Sequence, residues 1–146
     1  MKILVTAGNT LTLIDKVRAI TNIFSGRTGA SIALEAHRRK HEVTLLTSHP
    51  ETVASSDLTP LTYRTFDDLH DRLAEMIPTG GFDAIIHCAA VSDYRPVGVY
   101  ASEGESFDPE NPTLPRLVDR SAGKVKSSEK ELWIRLTPTP KLVDLV

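Results

Sequence analysis

Hydrophobic positions along this chain fall into two periods. Short apolar runs rich in β-branched residues occur at Lys2–Thr6 (KILVT), Glu42–Thr47 (EVTLLT) and Ala84–Cys88 (AIIHC). Such runs predict strands buried on both faces, as in a parallel sheet, and the third, almost wholly apolar, is expected at the sheet centre. Leu61–Phe66 reads as a weaker strand. Between these runs the period lengthens. Ala30, Ala33, Leu34 and His37 recur at helical spacing within Thr28–Lys40, and Arg38-Arg39-Lys40 closes that helix with charge suited to its dipole. A second helix starts at Thr65 as N-cap, with Asp68 at the capping-box position, buries Leu69, Leu73, Met76 and Ile77, and ends at Thr79-Gly80-Gly81.

Strand, glycine turn, helix and strand in that order make a right-handed βαβ unit. The fold class that follows is α/β, a Rossmann-like three-layer fold with a mostly parallel sheet. Gly8–Asn22 is irregular, with Asp15 and Arg18 spaced for a local ion pair. Val97–Ala122 is rich in Pro, Gly, Ser, Asp and Glu without periodicity, and reads as a long mobile loop of the lid type. Glu131–Leu136 (ELWIRL) alternates as a strand. Thr139 and Pro140 then suit the N-cap and N1 positions of a last helix.

Composition narrows the function classes. The 146 residues suit one domain, and a net charge of −2 argues against a broad nucleic-acid footprint. No apolar run is long enough to span a bilayer, and the N-terminus opens on a strand without a signal-peptide pattern. Cys88 is the single cysteine, so no intrachain disulfide can form. A cytoplasmic location without membrane partners is the expectation.

The candidate chemistry gathers around Ser25-Gly26-Arg27-Thr28-Gly29, which opens the first helix. Unpaired N–H groups and the positive end of the dipole favour an anion there, and glycines at 26 and 29 let a ligand or another backbone come close. Asn22, just ahead, offers one acceptor and two donors. Ala89–Pro96 leaves the carboxyl end of the AIIHC strand, on the same rim as the turn at Gly8, where doubly wound sheets bind ligands. Lys124 and Lys126 share a face if extended, either as a solvated strand edge or toward an anion. Asp93 reads as a cap or turn residue.

Other chemistries find less support. No GxGxxG, no GxxxxGK[ST] and no GxSxG is present, and Leu46-Thr47-Ser48 brings no acid for a ribose diol. No tyrosine has a lysine four residues on. The five histidines lack metal-ligand spacing, so no metal site is expected, and His87 and Cys88 read as core residues. The residues alone stop at an α/β domain that binds a phosphorylated small molecule.

Four blocks extend this reading. ITNIFSGRTG (20–29), AAVSDYRP (89–96), GKVKS (123–127) and LTPTPKLV (136–143), in this order, resemble the phosphopantothenoylcysteine synthetase family. The opening GNTLTLIDKVRAITN also resembles that family's glycine-rich signature. The resemblance implies a ligase of coenzyme A biosynthesis. The carboxylate of 4′-phosphopantothenate attacks the α-phosphorus of a nucleoside triphosphate, CTP or else ATP, and pyrophosphate leaves. The amine of cysteine then attacks the acyl-nucleotide, forming the amide and releasing the nucleoside monophosphate. Magnesium would screen the triphosphate.

By the same resemblance, Asn22 holds the acyl intermediate and Lys124 faces the phosphates. Gly8, Ser25, Gly26, Arg27, Gly29, Ala89, Ala90, Asp93, Lys126 and the stretch Pro140, Lys141, Leu142 and Val143 line the substrate and nucleotide sites. A homodimer is implied, with a decarboxylase as fused or separate partner. The sequence departs from the family pattern at several points. Asn9 stands where a second glycine is usual, Thr12 where an acid is usual, and FSGRTG (24–29) where SSGKMG is usual, so that Arg27 brings a forked cation. The Asp93–Lys124 segment is longer than in compact members. Family chains continue with a further strand-helix portion, which implies that this chain acts with such a portion or a partner. The alternatives are a non-catalytic phosphopantothenate or nucleotide module, half of a split enzyme, or an NAD(P)-binding enzyme of Rossmann type.

Overall fold

A computed structural model describes residues 1–104, 106–111, 113–121, 124, 126 and 128–146. Along the chain, β1 (Lys2–Ala7), β2 (Leu11–Leu13), β3 (Ala19–Thr21), α1 (Arg27–Arg38) and β4 (Glu42–Thr47) are followed by a 3₁₀ turn at Pro50–Val53. Then come β5 (Leu61–Thr62), α2 (Phe66–Gly80), β6 (Ala84–His87), β7 (Tyr94–Ser102), β8 (Leu117–Asp119) and β9 (Leu132–Pro138), with a second 3₁₀ turn at Leu142–Leu145.

These elements form two compact units, where length had suggested one domain: Met1–Leu11 with Thr21–Asp93 and Pro140–Val146, and Thr12–Ile20 with Tyr94–Thr139. The first is an α/β Rossmann-like unit around a parallel sheet in the order β5-β4-β1-β6. Lys2 faces Glu42 and Ala7 faces Thr47, while Ile3 to Thr6 run beside Ala84 to His87. β1 and β4 therefore hold the interior. The AIIHC strand, expected at the centre, is the outer strand here, and its residues are half-buried throughout. An apolar run reports two covered faces, not two paired edges.

Side-chain alternation along β1 divides the core into two layers. Ile3, Val5 and Ala7 pack with Ala30, Ala33 and Ala36 of α1 and with Leu45. Leu4 and Leu46 pack on the opposite face with Phe66, Leu69 and Leu73 of α2, and with Tyr63 and Leu142. The α1 stripe differs by one residue from the expected one. Ala36 is buried, while half-buried His37 reaches Asp57 at 3.0 Å. Small residues on this stripe let α1 lie close to the sheet. A Cβ on Gly29 would come within 2.7 Å of Ala7 Cβ and 2.8 Å of the Thr6 carbonyl oxygen.

α2 carries the expected capping box. Asp68 N donates to Thr65 Oγ1 at 3.1 Å, and Thr65 N donates to Asp68 Oδ2 at 2.9 Å. Those bonds, the Thr65 N–H foremost, hold the Asp68 carboxyl below its ordinary value. The cap also shortens the preceding strand to Leu61–Thr62, because Phe66 already opens the helix. At the chain end, the expected helix capped by Thr139 is a four-residue 3₁₀ turn without a side-chain cap. Lys141 precedes it in an extended conformation, so Pro140 lies outside it.

In the second unit β7 pairs antiparallel with β8 and β9. The strands revise the loop reading of Val97–Ala122. β7 runs through Ser102, and Leu117–Asp119 pairs with Tyr100–Ser102; Glu105, Pro112 and Ala122 lie outside the described residues. Val99 and Ala101 are buried opposite Ile134 and Leu132. Asp15 and Arg18 do pair, with guanidinium Nη2 at 2.6 Å, while Asp15 Oδ1 accepts from the N–H groups of Val17 and Arg18 and closes the turn between β2 and β3.

Replacing Gly29 by alanine should force α1 away from β1. The expected loss is about 1–3 kcal/mol, as for overpacked cores, read as a lower urea midpoint with an unchanged slope.

Candidate functional site

The carboxyl ends of β1, β4 and β6 and the amino end of α1 meet in the first unit. Gly26 is the N-cap of α1 and adopts φ 71°, a left-handed conformation that glycine takes without strain. It sits against the turn after β1, where a Cβ would lie 2.6 Å from Gly8 N and 2.8 Å from Gly8 Cα. The close approach open to ligand or backbone is thus taken by backbone. The first turn of α1 has no acidic residue and its N-cap makes no side-chain bond. Its leading N–H groups keep the polarity of an anion cradle. Ser25 and Arg27 are exposed beside it, and Gly29 is buried beneath.

Asn22 is half-buried on the same rim. Its Nδ2 donates to the carbonyl oxygens of Ala90 at 3.3 Å and Val91 at 3.2 Å. Carbonyls only accept, so this orientation of the amide is determined. Both donors are used internally, and Oδ1 remains as an acceptor for a ligand N–H or O–H.

The Ala89–Asp93 stretch is itself pinned. Thr6 Oγ1 accepts from the N–H groups of Cys88 and Ala89, each at 3.1 Å, and lies 2.9 Å from His87 Nδ1. Thr10 Oγ1 donates to Ser92 Oγ at 3.0 Å and accepts from Ser92 N at 2.9 Å. Ala90 N donates to the Gly8 carbonyl at 2.7 Å. Burial lowers the pKa of His87, which favours the neutral ring, and Nδ1 accepts a hydrogen bond from the Thr6 hydroxyl. This agrees with a packed histidine. Tyr63 seals the end of β1 by donating to the Ala7 carbonyl at 2.7 Å, and burial pushes its hydroxyl up to about 12.

Other expected residues fall around this rim or away from it. Asp93 pairs with Lys141, both exposed. Leu142 is buried in the α2-side core, whereas Pro140 and Val143 are exposed. Lys124 and Lys126 belong to the second unit, between β8 and β9, and are exposed. Gly123, Val125 and Ser127 of that motif lie outside the described residues. Sequence reasoning missed the hub of the rim, Asn9. Its side chain bonds Ser48, His49, Thr21 and Asn22. Its position directly after Gly8, in place of a usual glycine, was the available signal.

Comparison with known proteins gives this arrangement a family. Residues 1–105 match the family described as the DNA/pantothenate metabolism flavoprotein C-terminal domain. The chain belongs to that family. Over 145 residues it is 31% identical to the coenzyme A biosynthesis bifunctional protein CoaBC of Thermococcus kodakarensis, covering 99% of this chain and 30% of that protein. It is 36% identical over 99 residues to the Mycobacterium tuberculosis protein of the same name, covering 67% of this chain and 23% of that protein. The chain thus spans under a third of the length of these curated relatives. Among solved structures, the DNA/pantothenate metabolism flavoprotein of Streptococcus pneumoniae aligns with a TM-score of 0.71 at 28% identity, over 99% of this chain and 63% of that one. A Cab2 mutant in complex with phosphopantothenate-cysteine has a TM-score of 0.62 at 18% identity, over 97% of this chain and 57% of that one, a likeness of fold.

The neutral His87 has a measurable consequence. Its depressed pKa means that the unfolded chain takes up a proton first as pH falls. Stability is therefore complete above the ordinary histidine value of about 6.5 and declines as pH drops below it toward the folded value. His87→Gln should flatten that part of the melting-temperature profile relative to wild type between pH 7 and 5.

Proposed function

We propose that this chain supplies the phosphopantothenate and nucleotide site of a phosphopantothenate–cysteine ligase in coenzyme A biosynthesis. The observation that carries the reading is the placement of Asn22, its donors bound to Ala90 and Val91 and its Oδ1 left as an acceptor, on the rim that holds the amino end of α1. The family membership and the names of the relatives support the same pathway.

In this reading the substrates bring the nucleophiles. A carboxylate oxygen of 4′-phosphopantothenate bonds to the α-phosphorus of CTP or ATP as the bond to pyrophosphate breaks. The cysteine amine then bonds to the activated carbonyl, loses a proton, and the nucleoside monophosphate leaves. The protein's share is to hold two anions in line and to stabilise developing charge. The N–H groups opening α1 and the Arg27 guanidinium serve the anions, with Ser25 and Gly8 beside them. Asn22 Oδ1 serves as acceptor for an N–H, such as that of the attacking amine, and Ala89 and Ala90 form the small wall next to it. Asp93, Lys141, Pro140, Leu142 and Val143 are assigned to the nucleotide side, and Lys124 and Lys126 to the phosphates.

Among the described residues no group of three or more His, Cys, Asp or Glu side chains converges on a point. In this reading magnesium is carried on triphosphate oxygens rather than in a protein cage. The reading also includes a homodimer, a decarboxylase partner and a cytoplasmic setting.

Pyrophosphate release is the direct test. The 146-residue chain with magnesium, CTP or ATP, and 4′-phosphopantothenate should release pyrophosphate, and cysteine should then yield the amide. Asn22→Asp should melt close to wild type, since this half-buried rim residue adds little to the core. A carboxylate would set oxygens against the Ala90 and Val91 carbonyls, so the variant should accumulate acyl-nucleotide. Normal amide formation by Asn22→Asp would remove the assignment. Thermal shifts with nucleotide but no turnover would make the chain a binding module, and a shift with NAD alone would favour the dinucleotide alternative.

A further inference from the structure

We propose that Asn9 is the positioning residue for Asn22, through an amide whose direction is set by the Asn22 carbonyl. The inference rests on the ligase reading for its catalytic consequence, and on the hydrogen bonds alone for its structural one.

The side of Asn9 facing the segment between β3 and α1 meets only acceptors. The Asn22 carbonyl lies 2.7 Å from Nδ2. Thr21 Oγ1 also lies 2.7 Å from Nδ2 and donates its own proton to the Thr10 carbonyl at 3.0 Å. Nδ2 must therefore occupy this side. On the other side, Oδ1 lies beside Ser48 and His49. Ser48 Oγ accepts from Asn9 N at 2.8 Å, which leaves its proton for Oδ1 at 3.0 Å. His49 Nε2 lies 2.9 Å from the same oxygen, while its Nδ1 faces the Glu51 carboxylate at 2.8 Å. The amide thus spends both donors toward Thr21 and Asn22, and a flipped amide would set Oδ1 against the Asn22 carbonyl.

This bridge holds Asn22 by its main chain, while Ala90 and Val91 hold it by its side chain. The next residues have little other support. Ile23 is 97% and Phe24 65% exposed, and Phe24 N donates back to the Asn22 carbonyl at 3.1 Å. Asn22 is the last fixed point before Gly26, and Asn9 fixes it from beneath. A glycine at position 9 has no group with which to do this. An aspartate has the shape but cannot donate to the Asn22 carbonyl. Asn9 therefore transmits the arrangement at the end of β4 to the residue that meets the substrate.

Three forms of the full 146-residue chain test this: wild type, Asn9→Gly and Asn9→Asp. In the wild-type nitrogen–proton spectrum, the side-chain amides of Asn9 and Asn22 should be dispersed and slow to exchange with deuterium. In both variants the Asn22 side-chain signals should move to unstructured values, while the signals of β1, β4 and α2 stay in place. Turnover should fall between about 10-fold and 100-fold in kcat, with KM for the nucleotide within about 2-fold. A mainly structural role would lower the melting temperature and shift the sheet signals instead. Unshifted Asn22 signals in Asn9→Asp would overturn the proposal, as would a wild-type Asn9 amide exchanging at the solvent rate. An inert wild type whose Asn22 signals still depend on Asn9 would remove the ligase reading while supporting the anchor.

Discussion

The close approach of α1 to β1 is the constraint on which this rim depends. Gly29 against Ala7 and Thr6, and Gly26 against Gly8, leave no room for a side chain at either contact. Had either position carried a Cβ, the helix start would lie farther from the carboxyl end of the sheet. The helix N–H groups, the turn at Gly8 and the loop after β6 would then no longer share one face. The alanines at 30, 33 and 36 continue the same close contact down the helix. Packing and site geometry are thus set by one stripe of small residues.

Above that contact, hydrogen-bonding capacity is used inside the protein. Thr6, Thr10 and Ser92 are buried and bonded across the β1–β6 end of the sheet. Asn9 does the same toward β4. Among the described residues, the leading N–H groups of α1, Ser25, the Arg27 side chain and one oxygen of Asn22 stay open on this rim. A rim of this kind favours anions at one end and a hydrogen-bond donor at the other.

The parallel unit was largely legible because its signals are local. The KILVT and EVTLLT runs, the small stripe of α1 and the Thr65–Asp68 box each report on a few neighbouring residues. The errors came where a structure depends on distant partners. AIIHC looked central because both its faces are covered, although among the described residues β1 alone pairs with it. β7 was hidden in a Pro- and Gly-rich stretch, and its strand character comes from pairing with Leu132–Pro138. The Ala89–Pro96 loop and the turn at Gly8 were expected on one rim, and the bond from Ala90 N to the Gly8 carbonyl joins them there. Asn9 was seen as a departure from a pattern, but its four partners lie just after β4 and at the end of β3, and sequence order alone does not bring them together.

The burial of Leu142 bears on how this protein is made. Only 2% exposed, it completes the α2-side core that begins with Leu4. Nearly the whole chain separates these two residues, and the second unit is inserted between them. During vectorial synthesis the parallel sheet can begin to form early, but that core stays open until Leu142 has been made. The docking of the four-residue turn at Leu142–Leu145 therefore comes late in maturing the first unit, as a contact of very high sequence separation.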